Sequence, residues 1–446
     1  MSSGSRYRVP PPLPPQQCVT GSFRLTDALS AWTPFARHLI SDRFALWFLT
    51  TEEQILKTYP APAPRTAAPR WALPAALLGA FGGFTSFYLL LSVVPEYALH
   101  GGAGPSGAGL TTGALMATTV AVQPLVPRLQ RAWGRSATLA LGGVLLGLPC
   151  LALNLSDTLP ALLALSLLRG CGFGVVVVIG VAAVADLTPT SQWGRGLGLY
   201  GAVVGTAGII GSPLGLWMVH RSGYSLVFIA GAVAAVGVLV AAIRTAPVHP
   251  ASARTHIRLR SAVRPLALPF LIEAASTTAY GVVFTFLPST LESSPDWTAP
   301  VALLVVQATC TVTRLFSGGL IDRLGGPTLL VPAIAMTAAG MCGSVFRHDP
   351  LVVIAGAALF GAGFGVIQNA TLVVMLRASQ HAGVEIGSVA WNLAFDAGTG
   401  VGAVAGGLVL GAAGHASLFL GTAALLAVSA TAVRRGKEPG TPGPDF

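Results

Sequence analysis

Two distant stretches of the chain carry nearly the same phrase of small and apolar residues. Leu168–Gly180 reads LRGCGFGVVVVIG, and Phe360–Ala370 reads FGAGFGVIQNA. Gly172 of the first stretch and Gly363 of the second lie 191 positions apart. The first stretch also places Arg169 inside an otherwise apolar run, and the second has no charge there. The pair indicates an internal repeat of which one copy carries a buried arginine.

The spacing of 191 recurs along the chain. It also separates the pairs Gly134 and Gly325, Gly196 and Gly387, Tyr200 and Trp391, and Gly215 and Gly406. One spacing that holds over several segments predicts two halves with the same orientation. Membrane protein halves of this kind are related by an axis along the membrane normal, with a substrate site between them near mid-bilayer.

The composition is that of a membrane protein. Of 446 residues, 53% are hydrophobic and 9% are charged, and the mean hydropathy is +0.71. A soluble globular protein carries about 25% charged residues. The net charge of +10 follows membrane topology, as the loops show, and we therefore expect no nucleic-acid partner.

Stretches of about 20 apolar residues are candidate membrane helices, and a bundle of helices is the expected fold for spans of this length. Twelve are predicted: Trp71–Val94, Ala108–Val126, Ser136–Leu155, Leu159–Ala185, Leu197–Val219, Leu226–Ile243, Pro265–Leu287, Ala299–Leu320, Thr328–Val345, Leu351–Leu376, Ile386–Leu410 and Ala416–Val433. The prediction is an all-α membrane protein of two parallel six-helix repeats.

The loops between these spans predict the orientation. Cytoplasmic loops of membrane proteins are enriched in Lys and Arg. If both termini are cytoplasmic, only Arg221 and Arg347 fall in loops on the other side. The expected location is therefore the plasma (inner) membrane, with several crossings and both termini inside.

The predicted domains follow from the spans. Residues 1–70 are predicted to be a disordered cytoplasmic tail, with a surface helix at Ser22–Leu56 as the alternative. Residues 71–243 and 265–433 are the two six-helix halves, joined by a basic cytoplasmic linker at 244–264. Residues 434–446 form a cytoplasmic tail.

No cofactor or metal is expected. The five cysteines are scattered, with no CxxC and no Cys/His cluster. The chain also lacks the GxxxxGK[ST] loop that binds nucleotide phosphates.

A charged loop motif points to a family. Gly318–Gly325 reads GGLIDRLG and resembles the G-x-L-x-D-R-x-G loop of the major facilitator superfamily, with Asp322 and Arg323 in the charged positions. The equivalent loop of the first half, Pro127–Arg135, keeps the glycine and the final arginine but has Arg131 in place of the aspartate. The resemblance, with the repeat, covers about residues 71–433.

Two weaker motifs are similar to the drug:proton antiporter branch of that family. They are Gly205–Trp217, GTAGIIGSPLGLW, and Arg169 followed by GCGFG. The resemblance implies alternating access by rocking of the halves in a monomer, and it assigns a gating role to Gly318, Asp322, Arg323, Gly325, Gly134 and Arg135.

Four charges lie inside predicted spans. A charge at a helix centre costs about 2.5–3.5 kcal/mol, so each needs a function or a partner. They are Arg169, Glu273, Arg314 and Asp396. Two polar stripes accompany the acids: Ser276, Thr277 and Tyr280 follow Glu273 on one helical face, and Ser388, Asn392 and Thr399 share a face with Asp396.

We expect Asp396, Glu273 and Arg169 to face one another across a cavity and to couple transport to protons. Burial disfavours the charged form of a carboxyl, and a nearby arginine favours it. Movement of an acid relative to Arg169 would then load a proton on one side and release it on the other. The alternative is a static pair that fixes helix packing. For Arg314, a structural role near the cytoplasmic helix end is expected, by snorkelling or by pairing with Asp322.

The remaining candidates line the predicted substrate cavity: Tyr88, Tyr200, Ser276, Thr277, Tyr280, Gln368, Asn369, Trp391 and Asn392. Each polar group among them has the alternative of bonding a neighbouring helix, and aromatic residues are common in membrane spans.

The expected function is secondary transport: export of a small, partly apolar organic compound or drug in exchange for protons. The alternative is proton-coupled import of a small metabolite, organic acid or sugar. An enzyme is not expected, because no paired catalytic motif is present, and a sensor would need an added soluble domain.

Overall fold

The computed structural model describes residues 69–188, 192–244, 259–380 and 384–435, which form helices and no strand. The helices are α1 (Ala72–Leu91), α2 (Val93–His100), α3 (Gly104–Val122), α4 (Val126–Ala152), α5 (Leu159–Leu187), α6 (Trp193–Ser222), α7 (Tyr224–Arg244), α8 (Leu259–Thr290), α9 (Thr298–Leu324), α10 (Gly326–Gly343), α11 (Pro350–Ala378) and α12 (Val384–Arg435). Short 3₁₀ turns, Gln123–Leu125 and Leu153–Leu155, follow α3 and α4.

Three predicted segments lie wholly or mostly outside the described residues. These are residues 1–68 of the N-terminal tail, with the alternative surface helix in them, residues 245–258 of the linker and residues 436–446 of the C-terminal tail.

The described residues contain nine helical segments long and apolar enough to cross a membrane, and a shorter apolar helix at Thr328–Gly343. Two of the nine are about twice the usual length: Gly104–Leu155 has 52 residues and Ile386–Val433 has 48. About 20 residues suffice for one crossing. The prediction of twelve spans counts each long segment twice and the short helix once.

Each long segment is broken at a glycine. Gly134 interrupts α4 with φ 80° and ψ 164°, and Gly414 interrupts α12 with φ 77° and ψ 177°. Gly325 and Gly223 end α9 and α6 with φ of 80° and 77°. Glycine adopts this backbone region readily, and residues with a Cβ do so only with strain. Gly223 and Gly414 are 191 positions apart, as are Gly134 and Gly325.

The start of α11 shows how the sequence sets a helix end. Asp349 precedes Pro350, and its Oδ1 accepts hydrogen bonds from the backbone N–H groups of Leu351 and Val352, at 3.1 and 3.3 Å. The side chain thereby satisfies two donors that the first helical turn leaves unpaired, and proline is favoured in that turn. This cap fixes the register of the helix that carries Gln368.

The first half and the second half, as the predicted repeats are called below, meet along two helix pairs. Helix α3 packs on α12, and α6 packs on α9. Helices α3 and α12 approach closely at Gly109, where an added Cβ would collide with the carbonyl oxygen of Ala403. Small residues of this kind allow helix backbones to approach closely in lipid.

Candidate functional site

Asp396 lies on α12, where the first and second halves meet. Its side chain is buried, and its Oδ2 accepts a 2.7 Å hydrogen bond from Nε2 of Gln123 in the turn after α3. Burial of a carboxylate without a partner costs free energy, and the hydrogen bond from the Gln123 amide offsets part of that cost. The bond connects the two halves through an uncharged donor.

Glu273 lies on α8 within the second half and is completely buried. Nε2 of Gln368 donates to its Oε1 at 2.6 Å, and Oγ1 of Thr371 donates to its Oε2 at 2.7 Å. Nε1 of Trp391 donates in turn to Thr371 Oγ1 at 3.2 Å. Helices α8, α11 and α12 are thus joined by one network around a carboxylate.

Arg169 of α5 does not face these acids in this structure. Its side chain is 1% exposed, and Nη2 donates to the backbone carbonyl of Ser86 on α1 at 3.3 Å. Its Nε is buried without a hydrogen-bond partner. The described partners of Asp396 and Glu273 are amides and a hydroxyl, so the expected arginine–acid contact is absent among the described residues. The reason is geometric, since the guanidinium stays inside the first half.

Ser276 and Thr277, predicted to line the cavity, are fully buried against helix backbone. Both hydroxyls donate to the carbonyl of Glu273 at 2.9 Å, and Thr277 also approaches the Ala394 carbonyl of α12 at 3.0 Å. Hydroxyls commonly satisfy themselves this way inside helices. In this conformation they stabilise the packing of α8 on α12 and are not open to a ligand.

Tyr88 of α1 and Tyr280 of α8 bring aromatic surface from the two halves to the centre of the molecule. Their phenol groups lie next to each other and to the side chain of Gln307 on α9. The ring of Tyr280 stacks on Phe364 with centroids 4.9 Å apart. These three polar-tipped side chains form the central cluster, which is buried in this conformation.

The repeat mates Tyr200 and Trp391 differ in surroundings. Tyr200 packs with Ala76, Ala80 and other apolar residues of the first half, and its hydroxyl is buried without a partner. Trp391, by contrast, belongs to the Glu273 network.

The two predicted asparagines also differ. Nδ2 of Asn369 donates to Ser317 Oγ at 3.0 Å and to the Arg314 carbonyl at 3.3 Å, which ties α11 to α9. Nδ2 of Asn392 donates to the Ser388 carbonyl of its own helix at 2.9 Å.

Arg314, for which a structural role near the helix end is predicted, lies in the C-terminal half of α9. Ten residues separate it from the end of α9 at Leu324, which is about 15 Å of helix. Its side chain is exposed, and its guanidinium carbon lies 5.4 Å from the centroid of the Trp391 ring. Stacking of this kind is favourable within about 6 Å.

The predicted gating residues lie at one end of the bundle. Nη2 of the buried Arg135, next to the turn at Gly134, forms a 2.5 Å ion pair with Asp186 at the end of α5. In the other half, the backbone of Gly318 lies beside Asn369, and Arg323 is exposed. The turn at Gly325 has positive φ. The side chain of Asp322 lies outside the described residues.

A cavity of about 150 Å³ lies at the opposite end, away from the buried acids. Its polar lining includes Glu96 and His220 of the first half and Glu292 and Asp296 of the second. Within the described ranges, no group of three His, Cys, Asp or Glu side chains is placed to hold a metal ion.

Sequence reasoning missed Thr371, Gln307 and Asp186. Thr371 follows Gln368 by three residues and therefore shares its helical face. Gln307 precedes Arg314 by seven residues, again on one face. Asp186 is an acid at the end of a predicted span. The sequence thus shows the helical face or position of each of these residues, but it does not show which side chain each one contacts.

Comparisons with solved structures support the fold. The nucleoside transporter NupG aligns with a TM-score of 0.65 at 13% identity, covering 82% of this chain and 98% of that one. A D-xylose-proton symporter aligns with a TM-score of 0.65 at 14% identity, covering 84% and 99%. The predicted all-α membrane fold is confirmed.

Relatives of known sequence include a protein named as a transporter. The uncharacterized MFS-type transporter YhhS of Escherichia coli (strain K12) is 27% identical over 365 residues, which is 78% of this chain and 88% of that protein. A chloramphenicol resistance protein of Streptomyces lividans is 31% identical over 274 residues, covering 57% and 70%. The sequence profile of the Major Facilitator Superfamily matches residues 76–390. The chain therefore belongs to the Major Facilitator Superfamily, whose members are membrane transporters and not enzymes.

Proposed function

We propose that this multi-pass membrane transporter exports a small, partly apolar organic compound or drug in exchange for protons. The observation that carries the proposal is the pair of buried carboxyl groups, Asp396 and Glu273, whose described partners are all uncharged. A buried acid held by neutral groups is suited to exist with or without a proton, because neither form leaves a fixed countercharge unpaired. The resistance protein among the relatives favours export.

Asp396 is the proposed coupling residue because its partner belongs to the other half. Rocking of the halves would separate α12 from the turn after α3 and remove the Gln123 amide. A carboxylate that loses its donor while buried is destabilised, whereas a protonated carboxyl is less so. Separation and proton binding at Asp396 are therefore expected to occur together.

Glu273 is the second proposed proton site, and Arg169 the proposed charge that an acid meets in another conformation. Arg169 has a buried Nε without a partner and a single weak carbonyl contact. A guanidinium in that setting gains by binding a carboxylate. The described conformation would then be the one in which arginine and acids are apart.

The central cluster supports the proposed substrate class. Tyr88, Tyr280 and Gln307 come from both halves, and they would offer aromatic faces with few polar groups when the halves move apart. Tyr200 and Asn392 are proposed to join the cavity when the halves move. A sugar site would be expected to contain more amide groups.

The proposed location is the plasma (inner) membrane, with cytoplasmic termini and a monomer as the working unit. The Lys and Arg distribution over the loops supports this orientation. The ends of the bundle that carry Gly134 and Gly325 would then face the cytoplasm, with the Arg135–Asp186 pair as a cytoplasmic gate element.

The test is accumulation in a bacterial host stripped of its own efflux pumps. Cells with and without the protein receive lipophilic cations, neutral antibiotics, organic acids and sugars, each with and without a protonophore. Lower accumulation of one class that the protonophore restores is the expected result. Higher accumulation that the protonophore abolishes would make the protein an importer and overturn the proposed direction.

A further inference from the structure

Arg314 is a charged group that the proposed proton mechanism does not use. It lies deep in α9, yet its side chain is exposed, and its guanidinium makes no hydrogen bond to a described residue. No described carboxylate lies within ion-pair distance of it. A charge at this depth of a membrane span is costly unless it faces a cavity or a partner.

The surroundings show that Arg314 faces the interior of the second half. Trp391, over whose ring the guanidinium lies, is on α12, and its Nε1 bonds Thr371 on α11. The charge of Arg314 acts on Glu273 of α8, on Tyr88 of α1 and on Cys310 of α9 itself. The guanidinium therefore lies on the side of α9 that faces α12, α8 and α1.

The chemistry of this pair selects a ligand. A guanidinium is planar, always charged and rich in donors, and stacking on an indole leaves its N–H edge free. That edge matches the two oxygens of a carboxylate. The partly exposed indole of Trp391 offers apolar surface for the rest of the molecule.

We propose that Arg314, supported by Trp391, binds the anionic group of the transported compound, so that the substrates are small organic anions with an apolar or aromatic body. This inference rests on the proposed transport function and deepens it. It assigns the anion site to Arg314 and not to Arg169, which is buried in the first half.

The site is linked to the proposed proton step. Trp391 bonds Thr371, which bonds Glu273, so the anion site and a buried acid share one network. A bound anion cancels the positive charge that faces Glu273. Binding of an anionic substrate at Arg314 and protonation of Glu273 are therefore expected to affect each other electrostatically.

The experiment measures binding to the purified full-length protein. The probes are benzoate, 3-phenylpropionate and 2-naphthoate, each compared with its own primary amide, by titration calorimetry. The variants are Arg314→Gln and Arg314→Lys. Arg221→Gln is the matched control, because Arg221 is also exposed but lies at the end of α6. Arg314 makes no described side-chain hydrogen bond, so its replacement is not expected to unfold the protein.

At least one carboxylate is expected to bind ten-fold or more tightly than its amide. Arg314→Gln should remove that preference, Arg314→Lys should keep part of it, and Arg221→Gln should leave it unchanged. Carboxylates that bind no better than amides, or a preference that survives in Arg314→Gln, would overturn the inference. Proton-driven export of neutral compounds by Arg314→Gln at the wild-type rate would do so as well, while the proposed transport function would stand.

Discussion

The amide nitrogen of Gln123 donates a 2.7 Å hydrogen bond to Oδ2 of Asp396, and the two residues come from different halves of the chain. Gln123 lies in a short 3₁₀ turn between α3 and α4, and Asp396 lies in α12. Gln123 has Arg314 as its counterpart 191 positions later. One copy of the repeat thus contributes a neutral donor to the interface, and the other contributes a charge to the proposed substrate site.

Replacing Gln123 by Leu is expected to weaken the contact between the halves, because the buried Asp396 carboxylate loses its described partner. The loss of a hydrogen bond to a charged group costs about 1.5–3 kcal/mol. The distance between spin labels on α3 and α12 should shift toward longer values. A distance distribution identical to that of the wild type would show that the bond does not hold the halves together.

Replacing Glu273 distinguishes a structural acid from a proton-carrying one. Glu273→Ala leaves the Gln368 amide without its acceptor, whereas the Thr371 hydroxyl keeps the Ile367 carbonyl, and a buried unpaired group costs about 1–3 kcal/mol. The Tm in detergent should fall by several degrees. Glu273→Gln keeps the acceptor oxygen and should stay near the wild-type Tm, but with an altered pH dependence of transport. A normal pH dependence in Glu273→Gln would assign Glu273 to structure alone.

The close contact of α3 with α12 predicts a steric effect at Gly109. A methyl group there collides with the Ala403 carbonyl, so Gly109→Ala should force the helices apart at that end. A cysteine placed at Ser106 should then react several-fold faster with an impermeant maleimide. Gly201→Ala is the matched control, because no atom lies within 4 Å of its added Cβ. Equal labelling in both variants would contradict the closed contact.

The turn at Gly414 predicts a backbone effect. Its φ of 77° and ψ of 177° are strained for a residue with a Cβ, so Gly414→Ala should lower the free energy of unfolding by about 1–3 kcal/mol. Gly411 lies three residues earlier in open helical surroundings. Gly411→Ala should leave stability unchanged or raise it by about 0.5–1 kcal/mol. Equal Tm values for the two variants would show that the positive φ at Gly414 does not require glycine for stability.

The sequence predicted the features that depend on spacing along one chain. The offset of 191 pairs Gly134 with Gly325, and both have positive φ, because a turn glycine is a local requirement. The polar faces of α8 and α12 also followed from helical periodicity. Periodicity identified Asp396 and Glu273 as buried acids of the second half.

The partners of the charged groups were not predictable in the same way. Periodicity places a side chain on a face of its helix, but the rotation and tilt of the neighbouring helix decide what it meets. Arg169 was expected to meet the acids and instead bonds the Ser86 carbonyl. Thr371 and Gln123, which hold the acids, are ordinary polar residues whose importance depends on helices far away in sequence.

Transport by Asp396→Asn in proteoliposomes tests the central claim most directly. The compound identified by the accumulation panel is followed in two assays: exchange across the membrane at equal pH, and accumulation driven by a pH gradient. Asparagine keeps the size and one acceptor oxygen but binds no proton, so exchange should persist near the wild-type rate while gradient-driven accumulation is lost. Accumulation by Asp396→Asn that follows the pH gradient as in the wild type would contradict the assignment of Asp396 as the coupling residue.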